Sequence, residues 1–291
     1  MRDGVLLIDK PKGITSTRVV ERVKRKLKTK VGHTGTLDPI ATGVLVLLVG
    51  KATRFSWLFL NMDKTYRVTA LFGLSTDTYD IEGEVVAKSE ATFRCEDVKR
   101  LLNLFRGSID QYPPPFSAKK VEGKRAYRLA RKGIQPKLKP VRVTVHELEM
   151  ERCEPPEVEL LMRVSSGTYV RSLVHELGKK AGTGAVVKEL TRLSVGPFSL
   201  GDAVSLEEFL SSEEPWEYVL SLEEAFSFLP KVSLDFFNGK KILNGNPVLL
   251  KDKTEEGSVT IYIDDTFVGV GRVESGILKP ERLIIPEGTQ T

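Results

Sequence analysis

The chain has 291 residues, 41% of them apolar, and carries 44 Lys and Arg against 39 Asp and Glu. That length allows one large domain or two smaller ones around a sizeable core. The longest apolar run, Val44–Val49, is far too short to cross a bilayer, and the opening MRDGVLLIDKPKG does not resemble a secretory leader. Cys95 and Cys153 make no CxxC pair, so they read as ordinary half-buried thiols in a reducing, cytoplasmic setting. Three Gln, five Asn and 29% charged residues are the bias of proteins from hot environments. The net charge of +5 is unevenly spread. Residues 1–200 hold 36 Lys and Arg against 22 Asp and Glu, residues 201–231 hold 1 against 8, and residues 232–291 hold 7 against 9. A basic body beside an acidic connector suits contact with a polyanion; a thermophilic surface rich in both signs gives the same imbalance.

In chain order, Val5–Ile8 predicts a strand closed by a Pro/Gly turn. Thr15 or Ser16 can cap a helix that buries Val19, Val20, Val23 and Leu27 and turns Arg18, Arg22, Lys24, Arg25, Lys26 and Lys28 outward. A glycine-rich loop, GHTGTLDPIATG, leads into a buried strand over Val44–Val49, and a helix is expected from about Thr53 to Leu60. Tyr66–Leu71 alternates as a strand, and STDTYDIEGEVV reads as a solvated acidic turn between strands. Glu96–Phe105 is an amphipathic helix ended by Gly107. After three prolines, nine basic residues and one acid fall between Lys119 and Lys139, with Tyr127 among them. That mixture suits an RNA-contacting loop or short helix better than a neutral surface hairpin. Val141–Val145 and Val158–Val164 are strands, a helix opens at about Thr168, and Val186–Leu193 is a late strand. Residues 205–226 read as acidic and helical, and 232–287 as a separate β-rich module. Strands outnumber helices at hairpin spacing, which predicts an α+β fold with a large mixed, mainly antiparallel sheet flanked by helices.

Familiar cofactor motifs fail. Six residues instead of four separate Gly43 from Gly50-Lys51, and Ala52 stands where a phosphate loop needs Ser or Thr. Ser172 and His175 lack a nucleophile elbow and an orienting acid, and His33, His146 and His175 have no metal-ligand spacing. What remains is Asp38, a single carboxylate in a loop hinged by Gly32, Gly35 and Gly43 and stiffened by Pro39. Such an aspartate is either a turn former or a reactive group. Arg171, in the first turn of its helix, opposes the helix dipole at a cost of ~0.3–1 kcal/mol, which points either to an anionic partner or to an exposed head reaching solvent.

Four collinear stretches, LLIDKPKGITS (6–16), GHTGTLDPIATGVLVLLVGKATR (32–54), YPPPFSAKKVEGKRAYRLARKG (112–133) and SSGTYVRSLVHELG (165–178), strongly resemble the TruB family of tRNA pseudouridine synthases. The resemblance covers about residues 3–200, and the C-terminal segment looks like a PUA module, a small RNA-binding β-barrel. It implies a pseudouridine synthase catalytic domain over 1–230, with an RNA-contacting insertion at about 112–140, and a PUA-like domain over 231–291. The implied reaction isomerises uridine 55 in the T arm of tRNA to pseudouridine with no cofactor and no metal. It implies Asp38 as catalytic nucleophile, Arg171 as the cation that keeps it charged, and Tyr66 as the ring that stacks on uracil with its hydroxyl near C5. The target base must be flipped out. His33 is implied to fill the vacated space, with Thr34 and Gly35 beside it on the RNA, while Tyr169 and Leu190 line the pocket. Lys10, in the first motif, is expected to support Tyr66 and lie at the RNA. Lys119, Lys120, Arg125, Arg128 and Arg131 belong to the insertion that closes on the T stem-loop. The resemblance implies tRNA as partner, no membrane, a cytoplasmic location, and nothing beyond a monomer. A non-catalytic RNA-binding or tRNA-folding protein, or a synthase acting on another RNA, are the alternatives.

Overall fold

The computed structural model describes residues 3–284 apart from 118, 122, 131, 135–137 and 251–253. The first strand, β1 (Gly4–Lys10), is followed by α1 (Ser16–Leu27). Thr15 caps this helix by accepting from the Arg18 N–H at 3.2 Å, and Val19, Val23 and Leu27 recur on the buried face. Lys28 ends it in the left-handed region, φ 51°. Next come β2 (Val31–His33) and β3 (Thr42–Val49). The helix expected at 53–60 is instead a 3₁₀ segment, Gly50–Phe55, running into a short α2 (Ser56–Leu60). Thr53 Oγ1 donates to the Gly50 carbonyl at 2.8 Å and so favours the tighter turn.

The chain continues through β4 (Lys64–Phe72), β5 (Leu74–Thr76), β6 (Val85–Lys88), α3 (Cys95–Leu102) and β7 (Gly107–Gln111). The basic stretch forms a small hairpin, β8 (Lys120–Val121) and β9 (Lys124–Arg125), then α4 (Ala126–Ala130). Arg131 lies outside the described residues. Two long strands, β10 (Val141–Glu154) and β11 (Glu157–Val164), precede α5 (Val170–Lys180), β12 (Ala185–Val195) and β13 (Phe198–Ser199). The acidic stretch is less helical than its composition suggests. It holds β14 (Val204–Ser205), α6 (Leu206–Ser211), β15 (Val219–Ser221) and α7 (Leu222–Ala225), because Val219–Ser221 pairs with the edge of β1.

These strands build an eleven-stranded sheet in the order β14-β1-β3-β12-β4-β11-β10-β7, with β2, β13 and β15 as side pairings. Only β1–β14 and β3–β12 are parallel, so the expected mixed, mainly antiparallel sheet is observed. Its centre is covered on both faces. Leu6, Ile8, Leu45 and Leu47 face a core shared with Val19 of α1 and Leu173 of α5. Val5, Leu7, Val44 and Val46 face a second core with Phe55, Phe59, Phe226 and Phe267. Strands buried on both sides read as unbroken apolar runs, whereas β4 buries Tyr66, Val68, Ala70 and Phe72 on one face and alternates.

The C-terminal residues form a curled five-stranded sheet of β16 (Lys231–Leu234), β17 (Val248–Leu249), β18 (Gly257–Ile263), β19 (Thr266–Glu274) and β20 (Ile277–Leu283), ordered β16-β18-β19-β20-β17. One helix, α8 (Phe236–Leu243), is capped by Asp235. Phe267 stacks on Phe226 with centroids 5.7 Å apart, joining this sheet to the second core. The expectation of two separate thiols is overturned: Cys95 and Cys153 form a disulfide between α3 and β10. A separation of 58 residues gives no pairing signal, and only the packing of α3 on β10 brings the sulfurs together.

Candidate active site

The site lies where the sheet splits. β3 touches β12 at only two register positions, Thr42–Thr191 and Gly43–Arg192, and then diverges from it. Gly43 makes that contact possible. Its φ is +99°, and a Cβ there would stand 2.2 Å from the Arg192 carbonyl oxygen. The loop between β2 and β3 is fastened along its length. The Thr34 N–H donates to the Val46 carbonyl at 3.1 Å, Ser16 Oγ accepts from the Leu37 N–H at 2.8 Å, and the Gly13 N–H donates to the Pro39 carbonyl at 2.8 Å. Leu37, Ile40 and Ala41 are buried, which anchors the loop from below. The Asp38 side chain, 37% exposed, faces outward from this clamp.

Arg171 meets it from the first turn of α5. Its Nε lies 2.8 Å from Asp38 Oδ2, and its side chain is only 7% exposed. Nη1 donates to the Thr78 carbonyl at 2.7 Å and to Asp80 Oδ2 at 3.4 Å, and Nη2 donates to the Phe116 carbonyl at 3.1 Å. Every guanidinium nitrogen is engaged, so the fork cannot rotate away from Asp38. The helix start has no side-chain cap of its own. Gln111 replaces it by accepting from the Tyr169 N–H at 2.7 Å and donating to the Tyr169 carbonyl at 3.0 Å. The anionic partner that a cation at a helix start requires is therefore Asp38, with Asp80 behind.

Asp80 belongs to the segment expected to be a solvated acidic turn; the structure corrects that reading. Its side chain is 10% exposed and accepts from Thr78 Oγ1 at 2.7 Å and the Glu82 N–H at 3.1 Å. The Val187 N–H donates to the Tyr79 carbonyl and the Ile81 N–H to the Val187 carbonyl, stitching the turn to β12. The Tyr79 ring stacks on His175, centroids 3.8 Å apart. Burial pushes the His175 imidazole below its ordinary range and the Tyr79 phenol above its own.

The chain is similar to known proteins over nearly its whole length. Residues 22–170 match the TruB family pseudouridylate synthase N-terminal domain, 171–227 the C-terminal domain of tRNA pseudouridylate synthase B, and 230–284 the C-terminal domain of pseudouridine synthase II TruB. The tRNA pseudouridine synthase B of Aquifex aeolicus (strain VF5) is 56% identical over 97% of this chain and its own whole length. That of Clostridium kluyveri is 38% identical, again over 97% of this chain and all of its own. The chain belongs to the TruB family of pseudouridine synthases. Among solved structures, Cbf5 in a Cbf5–Nop10–Gar1 complex superposes with a TM-score of 0.74 at 25% identity, covering 97% of this chain and 85% of that one. A chain of an H/ACA RNP bound to a substrate RNA containing 2′-deoxyuridine gives 0.73 at 24% identity over 98% and 86%, which shows a shared fold.

In this TruB-family chain, one register row crosses four strands: Lys10 opposite Gly43, Gly43 beside Arg192, and Arg192 opposite Tyr66. Strands ~4.8 Å apart set Tyr66 two strands from the glycine that ends the Asp38 loop. Lys10 is fully buried, and its Nζ donates to the carbonyls of Pro11, Ile14 and Pro39 at 2.9, 2.8 and 3.4 Å. It braces the Asp38 loop and exposes no surface, which corrects its placement at the RNA. Burial lowers its pKa to about 8. Thr34 is also buried, its hydroxyl directed at the Val46 carbonyl, so its side chain is no RNA contact. His33 is half-buried on β2, and its Nδ1 accepts from the Gly35 N–H at 3.4 Å. Burial pushes its imidazole below the ordinary range. Leu190 is buried in the main core and Tyr169 half-buried, its phenol pushed up by burial. Lys119 and Arg128 are exposed.

Two residues escaped the sequence reading. Asp80 is one; the apolar neighbours Tyr79 and Ile81, unusual in a solvated turn, were its only signal. Arg192 is the other. It is buried, with Nε donating to the Val44 carbonyl at 2.8 Å and Nη2 to the Gly35 carbonyl at 3.2 Å. Its signal was a charge two residues from Leu190, on the inward face of a strand.

Proposed function

We propose that this chain isomerises uridine 55 in the T stem-loop of tRNA to pseudouridine, with Asp38 as nucleophile on a flipped-out base. The observation that carries the reading is the 2.8 Å pair between a half-exposed Asp38 and a fully engaged Arg171. Carboxylates are ionised at neutral pH, and a charged oxygen held at fixed geometry is a competent nucleophile. The overall change breaks the bond from ribose C1′ to uracil N1 and joins C1′ to C5. The proton leaves C5 and N1 gains one, so atoms and electrons balance without a redox partner. Attack at the base and attack at the sugar both use this carboxylate. Tyr66 stacks on the uracil and presents its hydroxyl at C5, while His33 fills the space the base vacates. Extrusion costs a few kcal/mol, supplied by contacts to the rest of the loop.

The basic insertion at about 112–140 closes on the stem-loop in this reading, and 1–230 acts as the catalytic domain. Residues 231–291 act as a PUA-like RNA-binding domain; their own sheet and apolar cluster support this division. The protein works as a cytoplasmic monomer. A disulfide is compatible with that location, because intracellular proteins of hyperthermophiles carry such bonds.

The test is release of tritium from an unmodified tRNA transcript labelled at uridine C5. Wild type is expected to release one tritium per tRNA and to yield pseudouridine at position 55. Asp38→Asn is expected to bind tRNA as wild type does and release none. Full release by Asp38→Asn would sink the nucleophile assignment, and no release by wild type would sink the activity.

A further inference from the structure

A second basic site lies away from Asp38, and its residues come from two separate segments. The last turns of α1 and the turn after it contribute Lys24, Arg25, Lys28 and Lys30, and the 3₁₀ segment after β3 contributes Lys51 and Arg54. All six are exposed, and they line one open groove of about 1380 Å³. The local geometry aims them together. In a 3₁₀ helix residues three apart, such as Lys51 and Arg54, stand one above the other. The floor is rigid, because the Gly50 N–H donates to the Lys30 carbonyl at 2.7 Å and the Lys51 N–H to Asp3 Oδ1 at 2.6 Å.

Three features point to a phosphate backbone as the occupant. Some surface cations elsewhere are neutralised within the chain, as in Arg67–Glu151, Arg142–Asp110 and Arg272–Glu281. Among the described residues, Lys24, Arg25, Lys28, Lys30 and Arg54 have no ion-pair partner, although Asp3 and Glu21 line the same groove. Cations in a last helical turn suit the helix dipole, which accounts for Lys24, Arg25 and Arg54 but not for Lys30. The lining also contains no apolar or aromatic side chain. An acidic protein partner would need an apolar anchor and a base would need a stacking ring, whereas phosphates need only cations. Finally, β2 leads directly from Lys30 to His33, three residues or ~10 Å of strand.

We propose that this groove holds backbone phosphates of the substrate RNA outside the loop that carries the target uridine. The inference rests on the proposed tRNA reaction and deepens it. The groove lies at the far end of β3 from Asp38, eight strand residues or ~26 Å away, so it acts on binding and not on chemistry.

The test is the quadruple variant Lys24→Gln, Arg25→Gln, Lys30→Gln, Arg54→Gln on full-length unmodified tRNA, beside a variant with Lys24→Arg, Lys30→Arg and Arg54→Lys. Kd is measured from low to physiological salt, with single-turnover pseudouridine formation at saturating enzyme. The Gln variant is expected to bind tenfold or more weakly, with the slope of log K against log salt reduced by ~2–3. Its rate at saturation should equal wild type, and the charge-conserving variant should match wild type throughout. Unchanged Kd and salt slope in the Gln variant, with wild type active, overturn the groove assignment alone. Wild type that forms no pseudouridine overturns the reading beneath it as well.

Discussion

Two guanidinium–carboxylate pairs with almost the same bond length do different work. Arg171 meets Asp38 at 2.8 Å and Arg67 meets Glu151 at 2.7 Å. Arg67 projects from the outer face of β4 with half its side chain in water, next to Tyr66 on the opposite, buried face. Water screens the Arg67 pair and leaves both side chains free to leave. Arg171 is buried and has carbonyls or carboxylates on all its nitrogens, so its pair survives by immobility. Distance alone does not rank ion pairs; burial and the number of fixed partners do.

A large effect is expected at Asp80, behind the Arg171 pair. Asp80→Asn keeps the shape but removes the second negative charge facing Arg171. Turnover is expected to fall ~10–100-fold, about 1.4–2.7 kcal/mol, with tRNA affinity unchanged. A rate within twofold of wild type would show that Asp38 alone orders Arg171. A smaller effect concerns pH. Burial brings Lys10 and Lys64 to about 8 from 10.5. Between those values the unfolded chain holds protons that the folded chain has released, so stability rises as pH climbs from about 8 toward 10.5. Lys10→Met is expected to flatten that rise in chemical denaturation at pH 8 and pH 10. An identical rise in the variant would contradict the assigned cause. The smallest effect is Arg67→Ala, expected to cost ~1 kcal/mol or less in denaturation with turnover intact. A loss as large as that at Asp80 would erase the distinction between the pairs.

The fold was legible where one physical cause dominates. The doubly covered β1 and β3 announce themselves as unbroken apolar runs, and α1 by its cap and its valine spacing. Residues 53–55 were misread as α-helix because a threonine hydroxyl took the carbonyl an α-helix would have used. Asp38 and Arg171 stood out because each broke a local rule, one as a lone carboxylate among glycines and the other as a cation at a helix start. Asp80, Arg192 and the Cys95–Cys153 bond were hidden for a common reason. Their partners lie 91, 148 and 58 residues away, and no local rule is broken until the sheet brings them together. Lys10 is the instructive reversal. The resemblance placed it at the RNA, yet its position on a buried strand gives it the Pro39 carbonyl instead.

The measurement that bears most directly on the account is single-turnover pseudouridine formation by Arg171→Met, with tRNA Kd determined on the same sample. If the guanidinium holds Asp38 in its reactive place, the rate falls ~10²–10³-fold, as expected for breaking a buried pair, while Kd stays at the wild-type value. A rate within a few-fold of wild type, or a loss that appears wholly in Kd, would contradict it.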